Sequence, residues 1–261
     1  MRKIMKHLLI VFIFIFLPNG KIFAEFNSKL DFFFTHQVKS NIDEGGEVGI
    51  NRSGFELRMG QKITEHDMLN FKFKVQQDDY NFNGQSGLGL LKPWGSIDTF
   101  DFGISWFHAM DPETQIFAAG LIRSSYESNF SDGLVAGGTF GYIHKYETNF
   151  SFGLGAGIIG QIHDDPKLFP FIALNWTISE NLKLVSNSFT RVGNQSGLEL
   201  IWTPNKQWTL GVGASYDYSR FSLNGDGVAP SGAGEVSGWP ISFRATHHVS
   251  PEFDFTFYGG V

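Results

Sequence analysis

The sequence predicts an all-β fold: an antiparallel up-and-down transmembrane β-barrel of 12 to 14 strands. Three features lead to this prediction: an apolar leader at the N-terminus, a period of two in the apolar residues that follow, and an alternation of short and long connections. A period of two is typical of β-strands, because successive side chains of a strand point to opposite faces of the sheet.

The N-terminal 24 residues have the layout of a secretory signal peptide. A basic start is followed by an apolar run over 8–17 and by the small residue Ala24. An apolar run of this length is about half the ~20 residues that a spanning helix needs. The sequence therefore predicts a signal peptide over 1–24, cleaved near Ala24, and one barrel domain over 25–261.

The composition of the mature chain excludes several function classes. Removing the leader takes away four of the 20 Lys and Arg residues and leaves 16 against 26 Asp and Glu, so the mature chain is acidic. An acidic surface repels phosphate backbones, and we expect no nucleic-acid partner. The absence of cysteine excludes disulfides, thiolate catalysis and Cys-ligated zinc. No later segment approaches 18 consecutive apolar residues, so membrane-spanning helices are not expected.

Period-two alternation is clearest in four segments. Over 69–76, 98–108, 150–158 and 208–220, apolar or aromatic residues alternate with small or polar ones. The full set of predicted strands covers 28–38, 48–63, 68–80, 96–109, 114–126, 133–145, 149–162, 167–178, 182–192, 196–203, 208–223, 238–248 and 252–261.

A soluble β-sandwich would alternate as well. Its apolar face would form a packed interior, and its outer face would carry most of the charge. Here the polar face is poor in charge and rich in glycine, whereas the apolar face carries bulky Phe and Trp, in a chain with 31 Gly and 28 Phe. A lipid-facing outside and a crowded polar lumen fit this distribution better.

The connections between predicted strands fall into two classes. Short polar turns occur at 64–67, 111–113, 147–148, 179–181, 204–206 and 250–252. Longer connections, such as 41–47, 81–95 and 224–237, lie between them. Outer-membrane barrels have short periplasmic turns and longer extracellular loops, so the alternation indicates the bacterial outer membrane.

The predicted strand number is odd, whereas bacterial single-chain barrels normally have an even number. One explanation is a fourteen-stranded barrel whose last strand is missing from this sequence, which ends in mid-pattern at Val261. The other is a twelve-stranded barrel in which 182–192 or 196–203 is not a strand.

The C-terminal part of the chain contains four recognisable sequence motifs: FPFIALNW at 169–176, WTLGVGASY at 208–216, VSPEF at 249–253 and YGGV at 258–261. Over residues 96–261 the chain resembles an uncharacterised family of bacterial outer-membrane β-barrels in the porin-like clan. The resemblance implies outer-membrane lipid and the barrel-assembly machinery as partners. It supplies no catalytic residue, ligand or cofactor.

Catalysis by a barrel of this kind would need a correctly placed nucleophile and base. His248 and Ser250 have the spacing of a lipase pair. The predicted register places both on the inner face beside a turn, so we interpret them as turn residues. We expect no enzymatic activity, metal site or cofactor.

The candidate functional residues line the predicted lumen. They are Glu56, Arg58, Lys62, Lys72, Lys74, Glu199 and Asp217. The first five would form a mostly positive stripe that faces the two acids across the barrel, as in porins that orient polar solutes. Structural pairing of the same charges across the lumen is the alternative.

Two functions follow from these patterns. The first is a porin-like channel for small polar solutes. The second is a structural or ligand-binding barrel with an occluded lumen that acts through its outer loops, 81–95 and 224–237. Loop 81–95 is apolar enough, with Leu88, Leu90, Leu91 and Trp94, to fold inward as a plug.

Overall fold

The protein is described by a computed structural model over residues 27–43, 45–186 and 196–260. It is all-β, with 76% strand and 4% helix, and it contains a closed seven-strand barrel with extra strands. The predicted leader and the last part of the predicted strand 182–192 lie outside the described residues. Within the described residues, no helix is long and apolar enough to cross a membrane.

The described residues form fourteen strands: β1 Asn27–Asn41, β2 Glu47–Lys62, β3 Asp67–Asn83, β4 Ser96–Ala109, β5 Thr114–Tyr126, β6 Leu134–Glu147, β7 Phe150–Gln161, β8 Asp164–Ser179, β9 Leu182–Ser186, β10 Ser196–Asn205, β11 Trp208–Ser222, β12 Ala233–Gly238, β13 Ile241–Ser250 and β14 Phe253–Gly260. A short helix, α1 (Gly87–Leu91), and a 3-10 turn (Phe130–Gly133) interrupt two connections.

Strands β1 to β11 pair with their neighbours in chain order, β13 and β14 follow β11, and β12 pairs with the end of β11. A single parallel bridge between Ser222 and Tyr126 joins β11 to β5 and closes the seven-strand ring. The described residues show no backbone pairing between β1 and β14. Their side chains meet instead, where Lys29 Nζ lies 3.3 Å from Asp254 Oδ2.

The two faces of this sheet invert the distribution of a water-soluble protein. On the outer face, Phe32 is 78% exposed and Phe140 is 60% exposed. On the inner face, Glu56, Lys74 and Asp101 are at most 2% exposed. The alternation in the sequence therefore places apolar side chains outside and charges inside.

Aromatic residues connect neighbouring strands on the outer face. The rings of Phe32, Phe55, Phe73 and Phe100 follow one another across β1 to β4, with centroid distances of 6.3, 5.8 and 5.1 Å. Cross-strand pairs of this kind contribute roughly 0.2–1 kcal/mol each, and they fix the register of the strands.

Inward-facing glycines make room for phenylalanine rings from neighbouring strands. A Cβ atom on Gly141 would collide with the ring of Phe117, and one on Gly157 would collide with the ring of Phe169. Phe117 also meets Phe171, three strands further on, at a centroid distance of 5.2 Å. The glycine rows therefore receive side chains, and the inner space between β5 and β8 is partly filled.

The structure corrects the predicted end of the hairpin that follows β11. The sequence predicted a loop over 224–237 and one strand over 238–248, whereas β12 already begins at Ala233 and a break at Trp239 and Pro240 separates it from β13. Proline has no N–H to donate to a strand ladder, which accounts for the break at this position.

The short turns are stabilised by local hydrogen bonds. In the turn between β4 and β5, the backbone N–H of Glu113 donates to Asp111 Oδ1 over 2.8 Å. This bond, with smaller contributions from Thr114 and His144, lowers the pKa of the Asp111 carboxyl. A carboxylate that accepts backbone N–H groups in this way holds a tight turn closed.

Candidate functional site

A network of ion pairs covers the inner face of β1 to β3. The Arg58 guanidinium donates to Asp31, and its Nε lies 3.0 Å from Glu56 Oε1. Lys72 Nζ lies 3.8 Å from the other oxygen of Glu56. The carboxylate of Glu56 is therefore shared between two cations from different strands, an arrangement that offsets the cost of burying it.

A second part of the network joins β3, β4 and β5. Arg123 binds the carboxylate of Asp101 through two hydrogen bonds of 2.6 and 3.1 Å. Lys74 is the register partner of Asp101, and both side chains are almost completely buried. Such charges are tolerated in the interior only when opposite charges lie beside them.

Arg52 connects this wall to the end of β11. It binds Asp78 on β3 through hydrogen bonds of 2.8 and 3.1 Å. Its Nη1 also lies 3.7 Å from Asp217 Oδ2 on β11. Strands β2 and β11 are not neighbours in the sheet, so this contact lies inside the barrel and not between adjacent strands.

Glu199 pairs with Arg244 across an intervening glycine. Arg244 Nε donates to Glu199 Oε1 over 2.8 Å, from β13 to β10, and Gly211 on β11 lies between them. A Cβ atom on Gly211 would collide with the Glu199 carboxylate. The glycine thus makes room for an ion pair between two strands that are not adjacent.

The structure divides the seven predicted site residues between β2 and β3 on one side and β10 and β11 on the other. Glu56, Arg58, Lys72 and Lys74 lie together on β2 and β3, whereas Lys62 is exposed at the end of β2. The predicted stripe is not a run of free positive charge, because carboxylates of neighbouring strands are interleaved with it.

Most of the other charged residues of this ion-pair network were not identified from the sequence. These are Asp31, Arg52, Asp78, Asp101, Arg123 and Arg244. Each occupies a polar-face position of a predicted strand, so period-two counting could have identified them as inward-facing. Counting could not show which of them meet, because that depends on the register between strands.

An apolar cluster holds the end of β11 against β3 and β4. Phe221 is completely buried, and its ring lies 5.2 Å from Trp94 and 5.9 Å from Tyr80. Ile97 and Leu223 complete the cluster. Trp94 lies near the end of the connection 81–95, so part of this connection packs against the cluster.

The rest of the same connection packs less completely. Leu88 packs against Val48 and Phe82 in an adjoining cluster, whereas Leu90 and Leu91 are exposed. Two of the four apolar side chains of this connection, Leu88 and Trp94, therefore pack against buried clusters.

The other face of β11 contacts the opposite wall. Lys167 Nζ on β8 donates to the hydroxyl of Tyr218 over 2.9 Å, and this hydroxyl lies 2.9 Å from Gln161 Oε1 on β7. Arg220 Nε donates to the carbonyl of Ile162 over 2.8 Å. The end of β11, with β12 paired to it, therefore stands between two walls at the end of the barrel that carries the long connections.

The long connections are also tied to each other. The carboxylate of Glu127 accepts hydrogen bonds of 3.1 Å from the backbone N–H groups of Gly95 and Asn224. An open pocket of about 710 Å³ lies beside this junction, with Trp94, Tyr80 and Asp226 among its lining residues. Both aromatic and polar groups thus face solvent at this end.

A smaller polar cluster lies at the short-turn end. His248 Nδ1 lies 2.6 Å from Asp254 Oδ1, and its Nε2 lies 2.9 Å from Thr209 Oγ1. These contacts connect β11, β13 and β14. Ser250 bonds instead to Glu252 within its own turn, with oxygen atoms 3.0 Å apart.

The sequence was compared with protein-family models and with curated proteins. No family model matches the chain, and no curated protein matches it. The resemblance to porin-like barrels stays a prediction.

Proposed function

We propose that this chain is an outer-membrane β-barrel with an up-and-down antiparallel wall of 12 to 14 strands, exported by its leader, and that it works as a porin-like channel for small polar solutes. One observation carries the proposal: apolar and aromatic side chains cover the exposed outer face, while charged side chains occupy the buried inner face. The channel needs no catalytic residue, metal or cofactor.

The physical reason is the cost of this distribution in water. Phe32, Phe140 and Leu154 would each leave more than half of their side-chain surface hydrated. In a bilayer the same side chains contact lipid tails, and a closed sheet satisfies the backbone polar groups that lipid cannot. Outer-membrane lipid is accordingly the proposed partner, with the barrel-assembly machinery inserting the chain.

The inner face is suited to the passage of polar solutes, and we expect it to select only weakly between positive and negative charge. Arg58, Lys72 and Lys74 lie beside carboxylates, which cancel much of their field at a distance. We expect a slight preference for anions rather than a strong one, because the described part of the wall carries no row of unpaired cations.

Conductance of the refolded full-length protein in a planar bilayer tests the channel. Vesicle flotation and a heat-dependent shift in gel mobility would first establish that the barrel is folded and inserted. Discrete conductance steps with a small reversal potential in a salt gradient are expected. A folded, inserted barrel that conducts neither as the wild type nor after removal of the end of β11 and of β12 would rule out the channel.

A second candidate function is a binding or structural barrel with an occluded lumen. The specific observation in its favour is the end of β11, which lies between two walls beside the open pocket. This candidate predicts no conductance under any condition, together with ligand or partner binding at the long-connection end.

A further inference from the structure

We propose that the outer part of β11 and its partner β12 form a displaceable gate at the long-connection end of the barrel. The gate hairpin comprises 217–222 and 233–238 with the loop between them. This inference rests on the proposed channel and adds the device that closes it. The gate opens when the hairpin swings away from both walls as a unit.

The gate hairpin begins where β11 exchanges β13 for β12 as its pairing partner. The last residue of β11 to pair with β13 is Ala214, and residues 217–222 pair with β12. A single bridge between Ser222 and Tyr126 joins this end of β11 to β5. Opening breaks this one bridge and leaves the pairing of β11 with β13 in place.

Contacts on both faces show that the hairpin stands inside the barrel mouth. Side chains of β11 that alternate in direction reach opposite walls. Phe221 packs on Tyr80 and Trp94, whereas Tyr218 bonds to Lys167 of β8. A strand that stayed in the wall would expose one of these faces to the outside. Here each face contacts a different wall of the barrel.

The contacts on the two faces of the hairpin differ in kind and in strength. The contact with β3 and β4 is an apolar cluster around the completely buried Phe221. The contacts with β7 and β8 are hydrogen bonds and ion pairs near solvent, such as Arg220 Nη1 to Asp164 at 3.6 Å. Solvent competes for polar contacts of this kind, so the apolar cluster is the main closing force.

The ion pair between Arg52 and Asp217, which we call the latch, helps to hold the hairpin closed. It can break at a small cost in free energy. Arg52 keeps two hydrogen bonds to Asp78 when Asp217 moves away. Asp217 is about a quarter exposed, at 26%, so water can replace its partner. Opening therefore leaves no buried charge unpaired.

The break between β12 and β13 provides the hinge. Trp239 and Pro240 separate the two strands, and the Pro240 carbonyl accepts a hydrogen bond of 3.1 Å from the Ser215 backbone N–H. This bond anchors the base of the gate hairpin to the wall. The segment beyond it can rotate about the interrupted ladder.

A disulfide lock tests the gate. The chain has no cysteine, so a double variant S222C/Y126C introduces the only pair of thiols. These residues are bridge partners, and Cα atoms of adjacent strands lie about 4.8 Å apart, within the ~4.4–6.8 Å that a disulfide needs. The matched control T99C/S125C links two small buried residues within the wall, on β4 and β5.

The locked protein is expected to lose at least nine-tenths of its open probability, and reduction is expected to restore it. The oxidised control should conduct like the wild type. D217N should raise the open probability several-fold, because the latch is lost while Arg52 keeps Asp78. Equal conductance of the oxidised and reduced S222C/Y126C proteins would overturn the gate and leave the channel intact.

A variant in which a short Gly-Ser turn replaces 217–238 separates failure of the gate from failure of the channel. If the wild type does not conduct and this folded variant does, the result supports a gate that is fully closed in the wild type. If the wild type, D217N and the shortened variant are all folded, inserted and silent, the channel itself is wrong and the gate falls with it.

Discussion

At the scale of single residues, the inner face is built from charges that depend on their neighbours. Asp101 is completely buried, and two hydrogen bonds from Arg123 together with the adjacent Lys74 balance its charge. Removing one member of such a set leaves the others buried and unpaired, which costs more than the pair contributes when it is intact.

We therefore expect D101N to lower the free energy of unfolding by roughly 3 kcal/mol, in line with the loss of one partner from a buried ion pair. Urea titration of the protein refolded in lipid vesicles measures the change. E180Q, which neutralises an exposed carboxylate at the turn between β8 and β9, is the matched control. Equal midpoints for the two variants would show that the network does not stabilise the barrel.

Gly211 sets the geometry of the pair between Glu199 and Arg244. G211A should destabilise the barrel by about 1–3 kcal/mol, because the added methyl group displaces the Glu199 carboxylate. At Gly103, also on an inner face, the nearest atom to an added Cβ is 3.7 Å away. G103A should be neutral or slightly stabilising, and a loss as large as that of G211A would contradict a specific steric effect.

Asp111 provides a pH-dependent contribution outside the sheet. Its folded-state pKa lies below the ordinary value of 3.8, because its carboxylate accepts the Glu113 N–H. The stabilisation is therefore fully present above pH 3.8 and is lost as pH falls through the folded-state pKa. The difference in urea midpoint between wild type and D111A should be largest near neutral pH and should shrink toward pH 2. A constant difference would contradict this role.

At the scale of elements, the gate hairpin and the wall strands differ in how they are held. Strands β2 to β7 are paired along most of their length on both sides, whereas the end of β11 depends largely on side-chain packing around Phe221. Elements held by few contacts open locally before the whole fold does.

Loss of the Phe221 ring should release the hairpin without unfolding the barrel. F221A is expected to make the loop 223–232 cleavable by proteases while the rest of the barrel stays resistant, because a buried ring is replaced by a cavity. F257A removes an outward-facing ring from β14 and is the control. Mass spectrometry of the fragments locates the cut, and equal protection of both variants would contradict the packing assigned to Phe221.

At the scale of the whole molecule, the exposed apolar face determines which solvent the barrel needs. Phe140 lies in the middle of β6 and is 60% exposed. In water, replacing an exposed ring by a charge would be harmless. In a bilayer, an arginine at mid-depth of a barrel costs about 2–4 kcal/mol.

We expect F140R to lower stability in lipid vesicles by about 2–4 kcal/mol. Met110 is equally exposed, at 60%, but lies in a short turn, and M110R should change stability by less than about 0.5 kcal/mol. Unfolding titrations in vesicles compare the two variants. A tolerated F140R would place this face in water and contradict the membrane barrel.

The strands could be predicted from the sequence because period-two alternation is a local property. The predicted segments 68–80, 96–109 and 114–126 correspond closely to β3, β4 and β5. The alternation also identified the inward positions of Glu56, Arg58, Lys72 and Lys74. The split into β12 and β13 was missed because the predicted loop over 224–237 was judged from its turn residues alone.

The sequence by itself determined the strands, which face of each strand is apolar, and which residues face inward, since all three follow from the order of neighbouring residues. Only the tertiary structure decided which charges meet, such as Arg52 with Asp217, and that the end of β11 turns into the mouth of the barrel. Most of these contacts join residues that are far apart in the sequence. They depend on register and on packing between distant strands, and no local pattern encodes either.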